Sequence, residues 1–460
     1  MFASVRRCHY LAHPSRFITK YPPTKGTRVL DLTTLTEHAL ASTSKGVPDV
    51  LDGVRMGDVP NCGLNLLRQA FPAPVAVLRE SAIRANIETM RQYTRSAGVE
   101  LAPHGKTTMA PQLFDMQLEA GAWGITCATA AHLRLYRRFG VPRIIMANQL
   151  LDADSVQFVA RQLAEDPTFE FYGIVDSVAG ARRYRDVLAK AARGRPVNLL
   201  LEVGAMGGRT GIRTLENAIE VAGEIGAMSA GGSVRLAGIE AYEGIFPGSP
   251  GEVESRVTSF LGHVGTVARQ FDADGAFAGS EVILTAGGSA HFDQVVTALK
   301  SIQLSRPTRV VLRSGCYITH DHGFYATAID RLRERSAGTD SVFVQKGFEP
   351  ALELWTTVQS VPEPGLAIIA LGKRDVSFDM GLPVPLMHLS DGAPVSLRGK
   401  TEIVRLNDHH GYLKSTGLNF SVGDRIAVGI SHPCTTFDRW EYLYVVNDRY
   451  DVVSVVRTFF

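Results

Sequence analysis

The chain has 460 residues, 20% of them charged and 45% hydrophobic, with 48 Lys+Arg against 46 Asp+Glu and a net charge of +2. That composition is ordinary for a globular protein with a large core. It gives no electrostatic footprint for nucleic acid or an anionic membrane surface, and no apolar run approaches membrane-spanning length.

The first thirty residues carry Arg6, Arg7, Arg16, Lys20, Lys25 and Arg28 and no Asp or Glu. An acid-free, basic start suits an organelle-targeting segment or a loose arm; residues 1–25 read as an arm, and no continuous apolar stretch marks a secretory signal. Residues 26–70 have mixed character and are expected to pack on a C-terminal β domain. The five cysteines, Cys8, Cys62, Cys127, Cys316 and Cys434, are scattered and odd in number. That usage points to a reducing cytoplasm.

From about residue 75, short apolar runs alternate with amphipathic helical stretches. The runs are VAVLR (75–79), VELAP (99–103), WGITCAT (123–129), RIIMAN (143–148), FYGIVD (171–176), NLLLEVG (198–204), LAGIEAY (236–242) and VILTAGG (282–288). Continuous apolar strands joined by helices predict a parallel sheet covered on both faces, and eight such units predict a (β/α)₈ barrel over residues 71–335. A doubly wound open sheet is the alternative, but no Gly-rich fingerprint follows the first strand. A ninth run, RVVLRSG (309–315), reads as leaving the barrel. After about residue 341 the runs shorten, alternate and are broken by Pro, Gly and Asp, which predicts an all-β domain over residues 336–460.

Three motifs carry chemistry. LAPHGKTTMAP ends the second run and places Lys106, flanked by His104 and Gly105, at the catalytic end of the barrel. An amine there can form an imine with a carbonyl cofactor, whereas elsewhere it would be a solvated turn lysine. TAGGSAHFD closes the eighth run, and Gly287, Gly288 and Ser289 offer N–H groups and a hydroxyl to an anion ahead of a helix start. The same residues also suit a plain strand-to-helix turn. RIAVGISHPCTTFDRW places His432 and Cys434 one residue apart. On an extended backbone, which Pro433 favours, both side chains share a face and present imidazole and thiolate to a divalent metal, zinc by ligand softness. Two protein ligands leave positions for water or substrate. In RSGCYITHDHGF, His320 is a candidate acid–base group beside its reading as a structural histidine, and Cys316 reads as a small core residue.

APHGKTTMAP, and the motifs that follow it in order from about residue 70 onward, resemble the D-serine dehydratase/D-threonine aldolase family. These are fold-type III pyridoxal-phosphate enzymes related to alanine racemase, and the HGKT form is most like the D-serine deaminase-like, or amino acid deaminase, branch. The resemblance implies pyridoxal 5′-phosphate on Lys106 beside His104, with its phosphate on Gly287, Gly288 and Ser289. It places Arg209, in LEVGAMGGRTGI, near the cofactor ring, although Ala205 and Met206 stand where the usual motif has an acid and Gln. Tyr242, in GIEAYEGIF, matches the family's cofactor-contacting tyrosine, and Tyr317 matches the tyrosine of a Gly-x-Tyr segment lining the substrate pocket. His-x-Cys at 432 and 434 matches the dehydratase branch, whereas the aldolase branch carries His-x-Asp with a harder metal.

The implied activity is metal-assisted dehydration and deamination of a small D-amino acid, D-serine-like, to a keto acid and ammonia, in a homodimer. In that scheme Lys106 removes the α-proton. An arginine beside the ring leaves the pyridine nitrogen weakly protonated, which raises the need for the metal. The alternatives are retro-aldol cleavage of D-threonine-type substrates and, in another class, a pyridoxal-phosphate carrier or regulator without turnover.

Overall fold

A computed structural model of the chain describes residues 30–69, 71–190, 194–390 and 394–460. The basic arm read over residues 1–25 lies outside them. Among the described residues, eighteen strands fall into two sheets. We number them β1 Val75–Arg79, β2 Glu100–Leu101, β3 Ile125–Cys127, β4 Arg143–Gln149, β5 Glu170–Val175, β6 Val197–Val203, β7 Val234–Ala241, β8 Val282–Ala286, β9 Thr308–Leu312, β10 Leu352–Glu363, β11 Leu366–Ile369, β12 Val384–Leu389, β13 Val395–Ser396, β14 Thr401–Leu406, β15 Gly411–Ser415, β16 Arg425–Gly429, β17 Tyr442–Val446 and β18 Val452–Arg457.

The first sheet is parallel throughout, in the order β2-β9-β8-β7-β6-β5-β4-β3. Its two ends meet. His104 and Thr126 form a parallel bridge, and Trp123 and Thr126 donate backbone N–H groups to the carbonyls of Leu101 and Pro103. The sheet is therefore a closed eight-stranded barrel. Its lumen is filled by Ala102, Ile145, Ile174, Leu200, Ile283 and Val311, a packed plug rather than a pore. Helices cover the outside. Several start at the C-terminal ends of strands on side-chain caps, with Thr129, Asp152, Ser177 and Thr214 each accepting a backbone N–H of the first turn. Each cap satisfies a donor that the helix start would leave open, and its loss costs about 1 kcal/mol.

The second sheet runs β13-β12-β16-β10-β1-β17-β18, with β11, β14 and β15 extending it from β10. Here the structure corrects the strand count. VAVLR is not the first barrel strand: β1 pairs antiparallel with β10, Leu78 opposite Leu352, and parallel with β17, Val77 opposite Tyr444. RVVLR does not leave the barrel: β9 lies between β8 and β2 and closes it. Both strands are apolar because both are covered on two faces, so their texture does not reveal which sheet they join. The N-terminal segment packs on this second sheet. Leu40, Val47, Leu51 and Val59 share a core with Trp355 and Tyr444, and Leu66 and Val452 donate to the carbonyls of Tyr450 and Leu64. No helix among the described residues is long and apolar enough to cross a membrane.

Candidate active site

At the C-terminal end of β2 the chain turns through Gly105–Thr107, a short 3-10 turn, before the Pro111–Glu119 helix. A side chain on Gly105 would collide with the Tyr136 hydroxyl, so glycine lets the turn settle onto the barrel wall. Lys106 projects from this turn and is exposed, while Thr107 beside it is buried. Below it, Nδ1 of His104 is buried without a hydrogen-bond partner. Burial first, and then the charges of Lys106 and Arg313, hold that imidazole well below its ordinary pKa. His104 is therefore neutral and keeps one unsatisfied polar atom at the barrel mouth, a feature that fits a bound group.

The phosphate turn predicted at Gly287, Gly288 and Ser289 follows β8. The N–H groups of Gly287 and Gly288 donate to the two carboxylate oxygens of Glu243 at 3.1 and 2.8 Å, and Glu243 is only 1% exposed. Gly287 has a φ of +98°, and a Cβ on Gly288 would stand 2.9 Å from the Tyr242 ring. Two converging N–H groups, glycine-enforced, make an anion nest. The protein's own carboxylate shows that the nest takes an anion. Ser314 Oγ fixes the turn from the other side by donating to the Gly288 carbonyl at 2.6 Å; Ser289 is half-buried at its outer edge. Arg209 is exposed, with its guanidinium 4.7 Å from the centroid of the Tyr242 ring.

Beneath these lies a charge cluster that no linear motif revealed. Arg313, at the end of β9, donates to Glu240 Oε1 at 2.5 Å and to Thr285 Oγ1 at 2.9 Å. Burial pushes Glu240 up to about 7 against the pull of Arg313, and its Oε2 has no partner. On β6, Glu202 accepts from Gln149 and Thr210, and burial raises its pKa. An acid and a glutamine thus stand near Arg209 after all, supplied by β6 and β4 rather than by positions 205 and 206. The sequence signal was the lone Glu inside each of the apolar runs NLLLEVG and LAGIEAY.

The β domain delivers the other wall. The His-x-Cys pair does not lie on an extended backbone, which corrects the expectation. Pro433 has φ −61° and ψ −47° and caps a short helix, Cys434–Phe437. Proline fits the first turn of a helix as readily as an extended segment. The Cys434 sulfur lies 3.5 Å from Thr107 Oγ1 and 3.7 Å from Cys316 Sγ. The Cys434 thiol is drawn down to about 7, chiefly by its hydrogen bond with Cys316, with Thr107 and the Lys106 charge adding to it against burial. His432 Nδ1 is 2.7 Å from Asp379 Oδ2, and Thr435 donates to the other oxygen of that carboxylate. With Nδ1 engaged, Nε2 is the nitrogen left for a metal, the usual division of roles in a carboxylate–histidine–metal arrangement. A thiolate-prone cysteine and a carboxylate-oriented imidazole fit a divalent ion, though no group of three His, Cys, Asp or Glu is gathered around one point among the described residues. Asp379 was missed because it lies 53 positions from His432 in sequence.

The RSGCYITHDHGF segment divides its side chains. Gly315 carries no Cβ because one would stand 2.5 Å from the His104 carbonyl and 2.7 Å from Thr107 Oγ1, and this closeness presses Cys316 against the lysine turn. Tyr317 is turned toward the outer helices, where its hydroxyl accepts from Gln117 at 3.0 Å and its ring packs on Phe348. His320, with φ +48°, packs on Phe348 and lines a 410 Å³ cavity with His322, Arg333 and Arg398. Tyr325, which sequence reasoning passed over, lies against Cys316, close to Cys434 and Tyr242.

Comparison with known proteins agrees with this architecture. Residues 351–446, which hold His432 and Cys434, match the domain described as "Putative serine dehydratase domain". The chain is 23% identical over 387 residues to 3-hydroxy-D-aspartate aldolase of Paracoccus denitrificans, covering 83% of this chain and 90% of that one. It is 24% identical over 403 residues to D-threonine aldolase of an Arthrobacter species, covering 87% and 95%. Among solved structures, D-threonine aldolase from Filomicrobium marinum superposes with a TM-score of 0.69 at 21% identity, over 86% of this chain and 97% of that one. D-threo-3-hydroxyaspartate dehydratase from Delftia sp. HT23 gives 0.61 at 20% identity, over 86% and 99%. These structures share the fold. Taken together, the chain is similar in sequence to D-amino acid aldolases and, over residues 351–446, to a serine dehydratase domain, and it has the barrel-plus-β-domain fold of these solved structures.

Proposed function

We propose that the protein is a pyridoxal-phosphate- and metal-dependent lyase that dehydrates and deaminates a small β-hydroxy D-amino acid. The observation that carries this reading is the meeting of two turns from different domains: Thr107, next to Lys106, touches the Cys434 sulfur at 3.5 Å. An amine and a thiolate–imidazole pair brought to one barrel mouth can act on neighbouring carbons of one small molecule.

Lys106 would hold the cofactor aldehyde, the Gly287–Ser289 turn its phosphate, and Arg209 and Tyr242 would flank its ring; bound there, it supplies an electron sink next to the substrate amino group. His432 and Cys434 would hold the metal, which supplies Lewis acidity at a β-hydroxyl. Lys106 Nζ, exposed at the barrel mouth, would take the α-proton. Asp379 holds the His432 ring through Nδ1 and fixes its tautomer. Neutral His104 adds no positive charge beneath the amine, so it does not oppose a proton arriving at Lys106. The Glu240–Arg313 pair anchors the end of β9 and so the Cys316 turn.

Retro-aldol cleavage is the second reading, favoured by the aldolases among the relatives, and product analysis separates the two. A keto acid with ammonia supports dehydration; glycine with an aldehyde supports the aldol route. Lys106→Ala is expected to abolish the visible absorbance of lysine-bound cofactor, while Cys434→Ala keeps it and loses turnover by at least about 100-fold, near the upper end of what loss of a metal-supporting contact costs. Unaltered turnover after chelation would overturn the metal half of the reading, and a protein that takes up no cofactor would overturn the rest.

A further inference from the structure

Cys316 is 4% exposed and sits on the Cys316–Ile318 turn that follows β9. A structural core cysteine has an apolar shell. Cys127 is such a residue, with the Met146 sulfur 3.4 Å from its own. The surroundings of Cys316 are different: its sulfur meets Thr107 Oγ1 at 3.7 Å and Cys434 Sγ at 3.7 Å, and Tyr325 lies against it. Burying a sulfur among two hydroxyl groups and a second sulfur makes little sense as packing and good sense as a ligand shell.

The sulfur–sulfur distance has a chemical meaning. A disulfide brings two sulfurs to about 2.05 Å. Two thiolates bonded to one zinc at about 2.3 Å with tetrahedral angles stand about 3.8 Å apart. The pair at 3.7 Å, a thiol hydrogen bond as it stands, is thus already close to the spacing that one shared zinc requires. Its placement is enforced: a Cβ on Gly315 would strike the His104 carbonyl and Thr107, so glycine allows the Cys316 turn to reach the Cys434 helix.

We propose that Cys316 is a second sulfur ligand of the metal centre, sharing one ion with Cys434. This rests on the metal half of the function proposed above. The described residues gather no third His, Cys, Asp or Glu around the two sulfurs, so the remaining positions are open to water or a substrate hydroxyl. Two thiolates select a soft, thiophilic ion over a hard one. On binding, each S–H gives its proton to solvent and each sulfur donates an electron pair to the ion, without change of oxidation state.

The test is zinc K-edge X-ray absorption on the full-length protein loaded with zinc, paired with competitive zinc titration. Two sulfur scatterers are expected in the unaltered protein, and one in Cys316→Ala together with a zinc affinity at least tenfold weaker. His432→Ala should keep both sulfurs. A single sulfur in the unaltered protein, lost in Cys434→Ala, would overturn the role of Cys316 and leave the His432–Cys434 reading standing. A protein that binds no zinc, or binds it undiminished without Cys434, would overturn both. The sulfur count in the unaltered protein needs no variant, so a misfolded Cys316→Ala would not block the decision.

Discussion

Glu243 lies where the anionic end of a cofactor is expected, with both carboxylate oxygens engaged by the glycine N–H groups. Hydrogen bonds to a charged group contribute roughly 1.5–3 kcal/mol each. An incoming phosphate must replace them, so the free protein carries its own competitor. Glu243→Ala is expected to tighten pyridoxal-phosphate binding about tenfold or more, measured by absorbance titration of the cofactor-free protein. Weaker binding would show that Glu243 supports the loaded turn. The glycines of this nest were legible in sequence because TAGGSAHFD follows a strand. Its occupant was not, because 44 positions separate Glu243 from Gly287 and only barrel closure joins them. The same holds for Asp379, Arg313 and Tyr325: each takes its role from a neighbour on another strand or turn, while Lys106, His432 and Cys434 stand out only through the ordered, family-like motifs that hold them.

The turn running into the Phe324–Arg335 helix gathers three titratable groups with opposed behaviour. Burial lowers His320 to about 4 and His322 to about 3. It raises Asp321 to about 6, although that carboxylate accepts backbone N–H bonds from Gly323, Tyr325 and Ala326. The two lowered histidines stay neutral in the folded chain while the unfolded chain protonates them below about 6.5, so their contribution is complete above that pH and is lost as pH falls. Asp321 works the other way, since its raised pKa favours the folded state at low pH and that gain is lost as pH rises through about 6. Two protons outweigh one. Stability is expected to fall by on the order of 2 kcal/mol between pH 7 and pH 5, with His322→Gln removing most of that fall because Asp321 then offsets the one histidine left; urea titrations at the two pH values check it. At this scale the sequence identified the run of strands and helices well. It misassigned β1 and β9 because a strand covered on both faces reads alike in either sheet, and it expected an extended Pro433 because proline's φ suits helix starts too.

Across the whole molecule, barrel and β domain are joined through β1, held between β10 and β17. An excised fragment of residues 346–460 would lack this central strand and leave two edges open in mid-sheet. It is expected to aggregate or to show no protected amides in hydrogen exchange, and a stable, cooperatively folded fragment would contradict this. The architecture of barrel plus β domain was legible from texture, since the change from long apolar runs to short alternating ones is a change in how many faces are covered. The interleaving was not, because pairing partners hundreds of positions apart leave no mark on local composition.

That strand also sets a schedule for synthesis. Val77 emerges from the ribosome early, yet its partner Tyr444 is made almost last. The barrel, whose neighbouring strands are mostly close in sequence, can condense while β1 waits without its sheet. Contacts that close so long a loop form slowly. A nascent chain stalled before residue 440 would therefore hold a finished barrel and a β1 paired with β10 on one edge while the edge that awaits β17 stays open, the natural target for a chaperone.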